Sequence, residues 1–303
     1  MNDKIKQSRN HDDYHERILD VLLYVPQHLD EELSTEAMAE RACFSMYHFH
    51  RIFKGMTGIT LQAYVRRCRL QRASLRLKYT LRPVLEIALE SHYSTHEAFT
   101  RAFTSEFGHS PSIFRDKYGL RRDETASTSS TDLAIPLHMD TKLYSSKEIA
   151  MKIRIEDCNP LNVAFMRHVG PYDQCGELWQ KFMGIMGSKG MLNHPLETIG
   201  MGHDDPEVTP PEKLRYDACL VVPEDFQAEG EVGVQTIPGG RYAIATHHGA
   251  YEGLRQAYGD FYGKWLPGSG EAPRELPPFE KYINSPMNTK PEDLITEIYM
   301  PLV

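Results

Sequence analysis

The sequence predicts two architectures in one chain. The first is an N-terminal all-α domain with two helix-turn-helix units. The second is a C-terminal α+β domain of two strand–helix–strand–strand repeats with a concave groove. Three observations carry the prediction. "FHRIFKGMTG" at 49–58 and "FTRAFTSEFG" at 99–108 align at Phe-x-Arg-x-Phe…Gly, offset by 50 residues. "HVGPYDQCGELWQKFMGIM" at 168–186 and "HHGAYEGLRQAYGDFYGKW" at 247–265 repeat at an offset of 79, in the second half of the chain. Charge divides at the same place. Residues 1–122 hold 19 Lys/Arg and 15 Asp/Glu, and residues 123–303 hold 15 and 27. The basic part suits phosphates and the acidic part repels them.

Composition excludes several classes. No run of 18 apolar residues suggests a membrane span, the polar start does not read as a signal peptide, and the expected location is the cytoplasm, at the nucleoid when bound to DNA. Five scattered cysteines, never in C-x-x-C spacing, argue against both a disulfide framework and a zinc site. No cofactor or metal is expected. "DETASTSSTDLAIPLHMDTK" at 123–142 is rich in Ser and Thr, so the expected division is a domain over 1–122, a linker over 123–149 and a domain over 150–303.

In the basic part, Ile18, Leu19, Leu22 and Leu23 recur at helical spacing from Tyr14 to Pro26, where proline ends the run. Ser34 caps a short helix that turns Ala37, Met38 and Ala42 inward. Ser45 caps the next, whose apolar stripe is Phe49, Ile52 and Phe53, with Gly58 after it. A long helix over 61–79 buries Leu61, Tyr64, Val65 and Cys68 and carries arginines on a solvated or phosphate-facing side. The pattern then returns. Pro83 opens a short helix, Ser94 or Thr95 caps its partner, and Phe99, Ala102 and Phe103 face inward.

With its ending "FGHSPSIFRDKYG", the segment 14–120 resembles the DNA-binding domain of the AraC/XylS family of bacterial transcription regulators. His92 departs from the family's usual turn glycine. A recognition helix presents polar side chains opposite its apolar stripe, to reach base edges in the major groove. The first unit offers Tyr47, His50, Arg51 and Lys54 there, and the second offers His96, Glu97, Thr100 and Arg101. The resemblance implies that Tyr47, His50 and Arg51 read bases. Ser45, Thr95 and the helix N-termini suit phosphates. Arg51 and Arg101 occupy equivalent places, so bracing the packing through salt bridges is the competing role for either.

In the acidic part, the strands "MKIRIED" and "VAFMRHVG" come first, and "VAFMRHVG" and "YAIATHHG" each lead into a helix. Six apolar helix positions coincide at the 79-residue offset, among them Cys175/Leu254, Trp179/Tyr258 and Phe182/Phe261. "DACLVVP" and "ITEIYMP" close the two repeats. Duplication packs two helices on one face of a sheet and leaves the other face as the groove. The H-x-G-x-Y phrases, the amphipathic helices and the closing E-I-Y-x-P resemble the GyrI-like effector-binding domain over about 150–303.

Aligning Pro223 with Pro301 pairs Cys219 with Glu297, so Glu297 stands in the groove where the other repeat has no charge. Tyr299, Tyr216, Trp179 and Cys219 complete the expected ligand set, which favours a cationic or lipophilic molecule. The GyrI-like resemblance also implies a glutamate in the pocket. Competing roles are an ion pair of Glu297 with Arg215 or Lys281, and plain core packing for Trp179, Tyr258 and Tyr262. His168, His247, Gly170 and Gly249 are assigned to the strand-to-helix turns.

The expected function is that of a sequence-specific, DNA-binding transcription regulator controlled by a small-molecule effector. Double-stranded DNA and the effector are its partners, with RNA polymerase a further candidate. Two alternatives remain: the C-terminal domain hydrolyses a small molecule, or it docks on a protein as an acidic DNA mimic.

Overall fold

The computed structural model describes residues 2–119, 151–192, 196–206 and 209–303; the linker expected over 123–149 lies outside them. The chain forms two compact units. Among the described residues, one comprises His15–Phe44 and 57–119, the other 2–14, Ser45–Met56 and those from 151 onward.

Helix α1 (Asn2–Gln27) starts earlier than its apolar period suggests and runs through Pro26 instead of ending there. Proline lacks the N–H that would reach the Leu22 carbonyl one turn back. The Tyr64 hydroxyl donates to that carbonyl at 2.7 Å, so the proline leaves no buried acceptor unmet. Ile18, Val21, Leu22 and Val25 are buried, whereas Leu19 and Leu23 face solvent. The inward stripe is therefore narrower than the sequence suggested.

Both helix-turn-helix units use the same local devices. Ser34 caps α2 (Thr35–Arg41) and Thr95 caps α6 (His96–Phe107), each hydroxyl accepting from the N–H three residues on. The turn before α3 (Met46–Thr57) holds Cys43 at φ 51°, and the turn between α5 (Val84–Glu90) and α6 holds His92 at φ 63°. These left-handed positions explain why glycine would suit the turn. Thr60 and Ser110 likewise cap α4 (Leu61–Tyr79) and α7 (Pro111–Tyr118). Leu70, Ala73 and Leu77 of α4 pack with Ile87, Ala88, Phe99 and Phe103 in one core.

The arginines of α4 differ from the free surface expected for them. Arg69 donates to the Leu29 and Glu31 carbonyls, Arg72 pairs with Asp30, and Arg76 reaches Glu90. They tie α4 to its neighbours within the unit, which leaves fewer of them for phosphates.

The second half is an eight-stranded antiparallel sheet. The first repeat gives β1 (Lys152–Cys158), β2 (Leu161–Val169), α8 (Cys175–Ser188), β3 (Thr198–Gly202) and β4 (Arg215–Val221). The second gives β5 (Gly233–Ile237), β6 (Gly240–His248), α9 (Leu254–Asp260), a π-helical turn (Phe261–Trp265), α10 (Leu266–Ser269), β7 (Phe279–Tyr282) and β8 (Ile295–Pro301). The strand order is β1-β6-β8-β7-β3-β4-β2-β5. Each repeat thus lends its first strand to the far edge of the other, and the halves meet where β3 pairs with β7.

Strand alternation separates two cores. Ala164, Met166, Tyr216, Ala218 and Leu220 pack against Phe182 and Met186 of α8. Val163, Ile199, Cys219, Ile244, Phe279 and Tyr299 pack together on the opposite face. The face expected to be an open groove is itself largely filled. The strand-to-helix turns are as expected: His168 and His247 bond the Pro171 and Ala250 carbonyls at 3.2 and 3.1 Å.

The register also corrects the repeat alignment. Arg167 faces Asp217 across β2 and β4, and the equivalent Thr246 faces Glu297 across β6 and β8. The counterpart of Glu297 is therefore Asp217, not Cys219, which instead matches Tyr299. The alignment slipped because Pro223 lies beyond the end of β4, whereas Pro301 is the last residue of β8. Both repeats carry a carboxylate here, and Glu297 does not mark their divergence.

Candidate effector pocket and nucleic-acid interface

The structure divides the expected ligand set between the two faces of the sheet. Glu297 bonds Arg154 at 2.9 Å and accepts the Tyr299 hydroxyl at 2.9 Å, which together hold its carboxyl below the ordinary value despite desolvation. Its ion-pair partner is Arg154, neither Arg215 nor Lys281. Cys219 is buried on the same face. Trp179 and Tyr216 lie on the helix side, linked through Tyr282 to a carboxylate that the sequence reading missed.

That carboxylate is Glu280 on β7. Its oxygens accept from the hydroxyls of Tyr282 at 2.8 Å and Tyr258 at 3.2 Å. A relay continues from there. Tyr216 and Tyr282 share a hydrogen bond of 2.9 Å, and the Trp179 indole N–H donates to Tyr216 at 3.1 Å. Tyr282 also packs edge-on against Trp179 and Tyr251, with centroids 5.9 and 5.4 Å apart. Burial raises the Glu280 carboxyl above its ordinary range, and the two tyrosine donors offset part of that. Desolvation also pushes the Tyr216, Tyr258 and Tyr282 phenols well up, so they stay protonated and act as donors. Glu280 and Tyr282 nevertheless remain partly open to solvent. No ion pair among the described residues includes Glu280.

The repeat explains how this site arose. Across the two halves Ile199 and Phe279 are equivalent, so Gly200 corresponds to Glu280 and Gly202 to Tyr282. A Cβ on Gly200 would fall on the hydroxyls of Tyr282 and Tyr216. One repeat supplies acid and phenol, and the other supplies the space they need. The signal was present in the sequence, but β3 and β7 are short and weakly alternating, and the glycine side has no side chain to align.

The helix-turn-helix residues also divide. On α6, Thr95, His96, Glu97 and Arg101 are exposed, with Thr100 half-buried between them, as a reading face requires. On α3 the expected reading face is covered. His50 is 2% exposed, Tyr47, Arg51 and Lys54 are half-buried, and Ser45 accepts a long bond of 3.4 Å from the His48 N–H. His50 Nδ1 lies 2.8 Å from Asp205, and the Arg51 guanidinium sits over the rings of Tyr47, Tyr258 and Tyr262 at 4.7, 5.0 and 5.5 Å. Aromatic and acidic side chains therefore cover much of the face that was expected to read bases.

Among the described residues no cluster of His, Cys, Asp or Glu could hold a metal ion, and no helix is long and apolar enough to cross a membrane.

The geometry is that of a helical nucleic-acid-binding segment followed by a duplicated sheet with an aromatic, acidic site. Comparison with known proteins agrees. Residues 151–303 match the GyrI-like small molecule binding domain and residues 38–117 a helix-turn-helix domain. The right origin-binding protein of Escherichia coli (strain K12) is 25% identical over 296 residues, covering 94% of this chain and 97% of that protein. The transposon Tn10 TetD protein of Escherichia coli is 39% identical over 98 residues, covering 32% of this chain and 71% of that protein. The crystal structure of the EcmrR C-terminal domain aligns with 21% identity and a TM-score of 0.42, covering 51% of this chain and 99% of that one. The chain belongs to the GyrI-like family, with an AraC-type helix-turn-helix domain preceding the small-molecule module. It is a DNA-binding transcription regulator under small-molecule control.

Proposed function

We propose that the effector is a lipophilic organic cation held at Glu280. The observation that carries this reading is a carboxylate bonded by Tyr258 and Tyr282, with Tyr216 and Trp179 next in the chain of bonds, in no ion pair among the described residues and partly open to solvent. Aromatic faces attract a cation and exclude water, which strengthens its attraction to the carboxylate. A neutral ligand would leave the desolvated acid uncompensated. Calorimetric titration with tetraphenylphosphonium tests the reading. Wild-type protein should bind it, Glu280→Gln should lose at least about tenfold in affinity, and Glu297→Gln should change little. Equal binding by wild type and Glu280→Gln would sink the assignment.

On DNA, the reading faces of α3 and α6 contact bases, in keeping with the exposed polar side chains of α6. Arg101→Ala should weaken binding to an operator selected in vitro by about 1–3 kcal/mol. Contact with RNA polymerase and a cytoplasmic location belong to the same proposal, and transcription in vitro from that operator, with and without the cation, reads the polymerase effect.

A hydrolase reading draws on the raised Glu280 carboxyl, because a protonated acid beside Tyr282 is equipped for general acid catalysis. Turnover of an electrophilic ester, lost in Glu280→Gln, would favour it. Binding without product leaves the effector role. The aromatic site counts against an acidic DNA mimic, which needs a broad, flat surface.

A further inference from the structure

We infer that the GyrI-like module carries a second binding surface, for helix α3 of its own chain, and that this surface withholds α3 from DNA until the effector site is filled. Ser45–Met56 belongs to the same compact unit as the sheet and its helices. Four contacts seat it. His50 meets Asp205, His48 Nε2 lies 3.0 Å from the Arg274 carbonyl, and Arg51 covers Tyr258 and Tyr262. Gly55 crosses Gly263 so closely that a Cβ on Gly55 would lie 2.5 Å from the Gly263 Cα. Gly263 lies in the π-helical turn, the one departure from α-helical winding in that segment. Tyr47, His50 and Arg51, expected to read bases, are the residues this surface covers, so seated α3 cannot also enter a major groove.

The seat is not fully satisfied. Tyr47 Oη, His48 Nδ1, His50 Nε2 and Arg51 Nε are buried without hydrogen-bond partners among the described residues. Unmet polar atoms penalise the closed arrangement and favour release when an alternative partner is offered. DNA phosphates and base edges are such partners.

Tyr258 joins this surface to the effector site, because its ring supports Arg51 while its hydroxyl donates to Glu280. A cation at Glu280 competes with the Arg51 guanidinium for the same ring and the same negative field. This part of the inference rests on the effector reading above; the seat itself does not. By linkage, the cation raises DNA affinity and DNA raises cation affinity by the same factor.

The test uses the full chain without effector. The three heavy atoms nearest a Cβ on Gly263 are all backbone atoms of Gly55, so Gly263→Ala is aimed at the seat. The variant should bind a selected operator duplex about tenfold more tightly by fluorescence anisotropy. It should also show faster amide exchange over 46–57. Asp205→Asn should move both readouts in the same direction, by less. Unchanged DNA affinity and exchange in Gly263→Ala would overturn the inference. If Gly263→Ala responds as expected while tetraphenylphosphonium leaves wild-type exchange unaltered, the seat stands and the cation reading fails.

Discussion

Glu280 and Asp217 are both acids in the sheet, and their surroundings move them in opposite directions. Asp217 is fully buried, yet Arg167 grips it at 2.7 and 2.8 Å, His203 lies at 2.7 Å and Gln235 donates at 3.2 Å. Desolvation opposes ionisation, but these partners prevail and push its carboxyl down to about 2. Its stabilisation, about 2 kcal/mol, is present above the ordinary value of 3.8 and lost as pH falls toward 2. Asp217→Asn should therefore lower Tm at pH 7 and lose its effect near pH 2, as thermal melts across pH will show. Glu280 behaves oppositely, because its raised carboxyl favours folding below 4.5 and disfavours it as pH rises through the higher folded value. Glu280→Gln should raise Tm at pH 8, with the gain vanishing below pH 4.5. Tetraphenylphosphonium binding to wild type should strengthen over the same rising range, as the carboxyl ionises.

At the scale of elements, glycine placement shapes the site. Gly200 lies on β3 opposite Glu280 on β7, and Tyr216 and Tyr282 use its missing side chain as space. Gly200→Ala should cost about 1–3 kcal/mol by overpacking and abolish cation binding, measured by denaturant melts and calorimetry. Helix caps were the most legible elements. Ser34 and Thr95 accept the expected bond and Ser45 accepts a long one, because a cap depends on residues within one turn. Thr95→Ala should cost about 1 kcal/mol and weaken operator binding through fraying of α6. The end of α1 was less legible, since Pro26 is tolerated through Tyr64, a residue distant in sequence. The partners of the α4 arginines were unreadable for the same reason: they are carbonyls and an acid of the turn after α1, and Glu90 of α5.

For the whole molecule, the basic and acidic halves suit the two ligands proposed for it, DNA and a cation. Their coupling is a thermodynamic statement about two ligands, so it is read by varying one against the other. Saturating tetraphenylphosphonium should tighten operator binding severalfold, and saturating operator should tighten tetraphenylphosphonium by the same factor. Gly263→Ala should reduce both effects toward one, because the seat that links them is gone. Anisotropy and calorimetry on the same preparations check the equality.

The sequence by itself determined the two helix-turn-helix units, the duplicated strand–helix–strand–strand order and the family, since periodicity, caps and internal repeats are written in neighbouring residues. It also singled out Trp179 and Tyr216, which the structure brings together on one face of the sheet. Only the tertiary structure decided which carboxylate they meet. A two-residue slip in aligning β4 with β8 gave Glu297 a false partner, and the strand that carries Glu280 pairs with another through a glycine that leaves no pattern to read. The covering of α3 was beyond the sequence as well, because His50–Asp205 and Gly55–Gly263 join residues more than 150 positions apart. Contacts of that span are set by packing, and local pattern does not encode them.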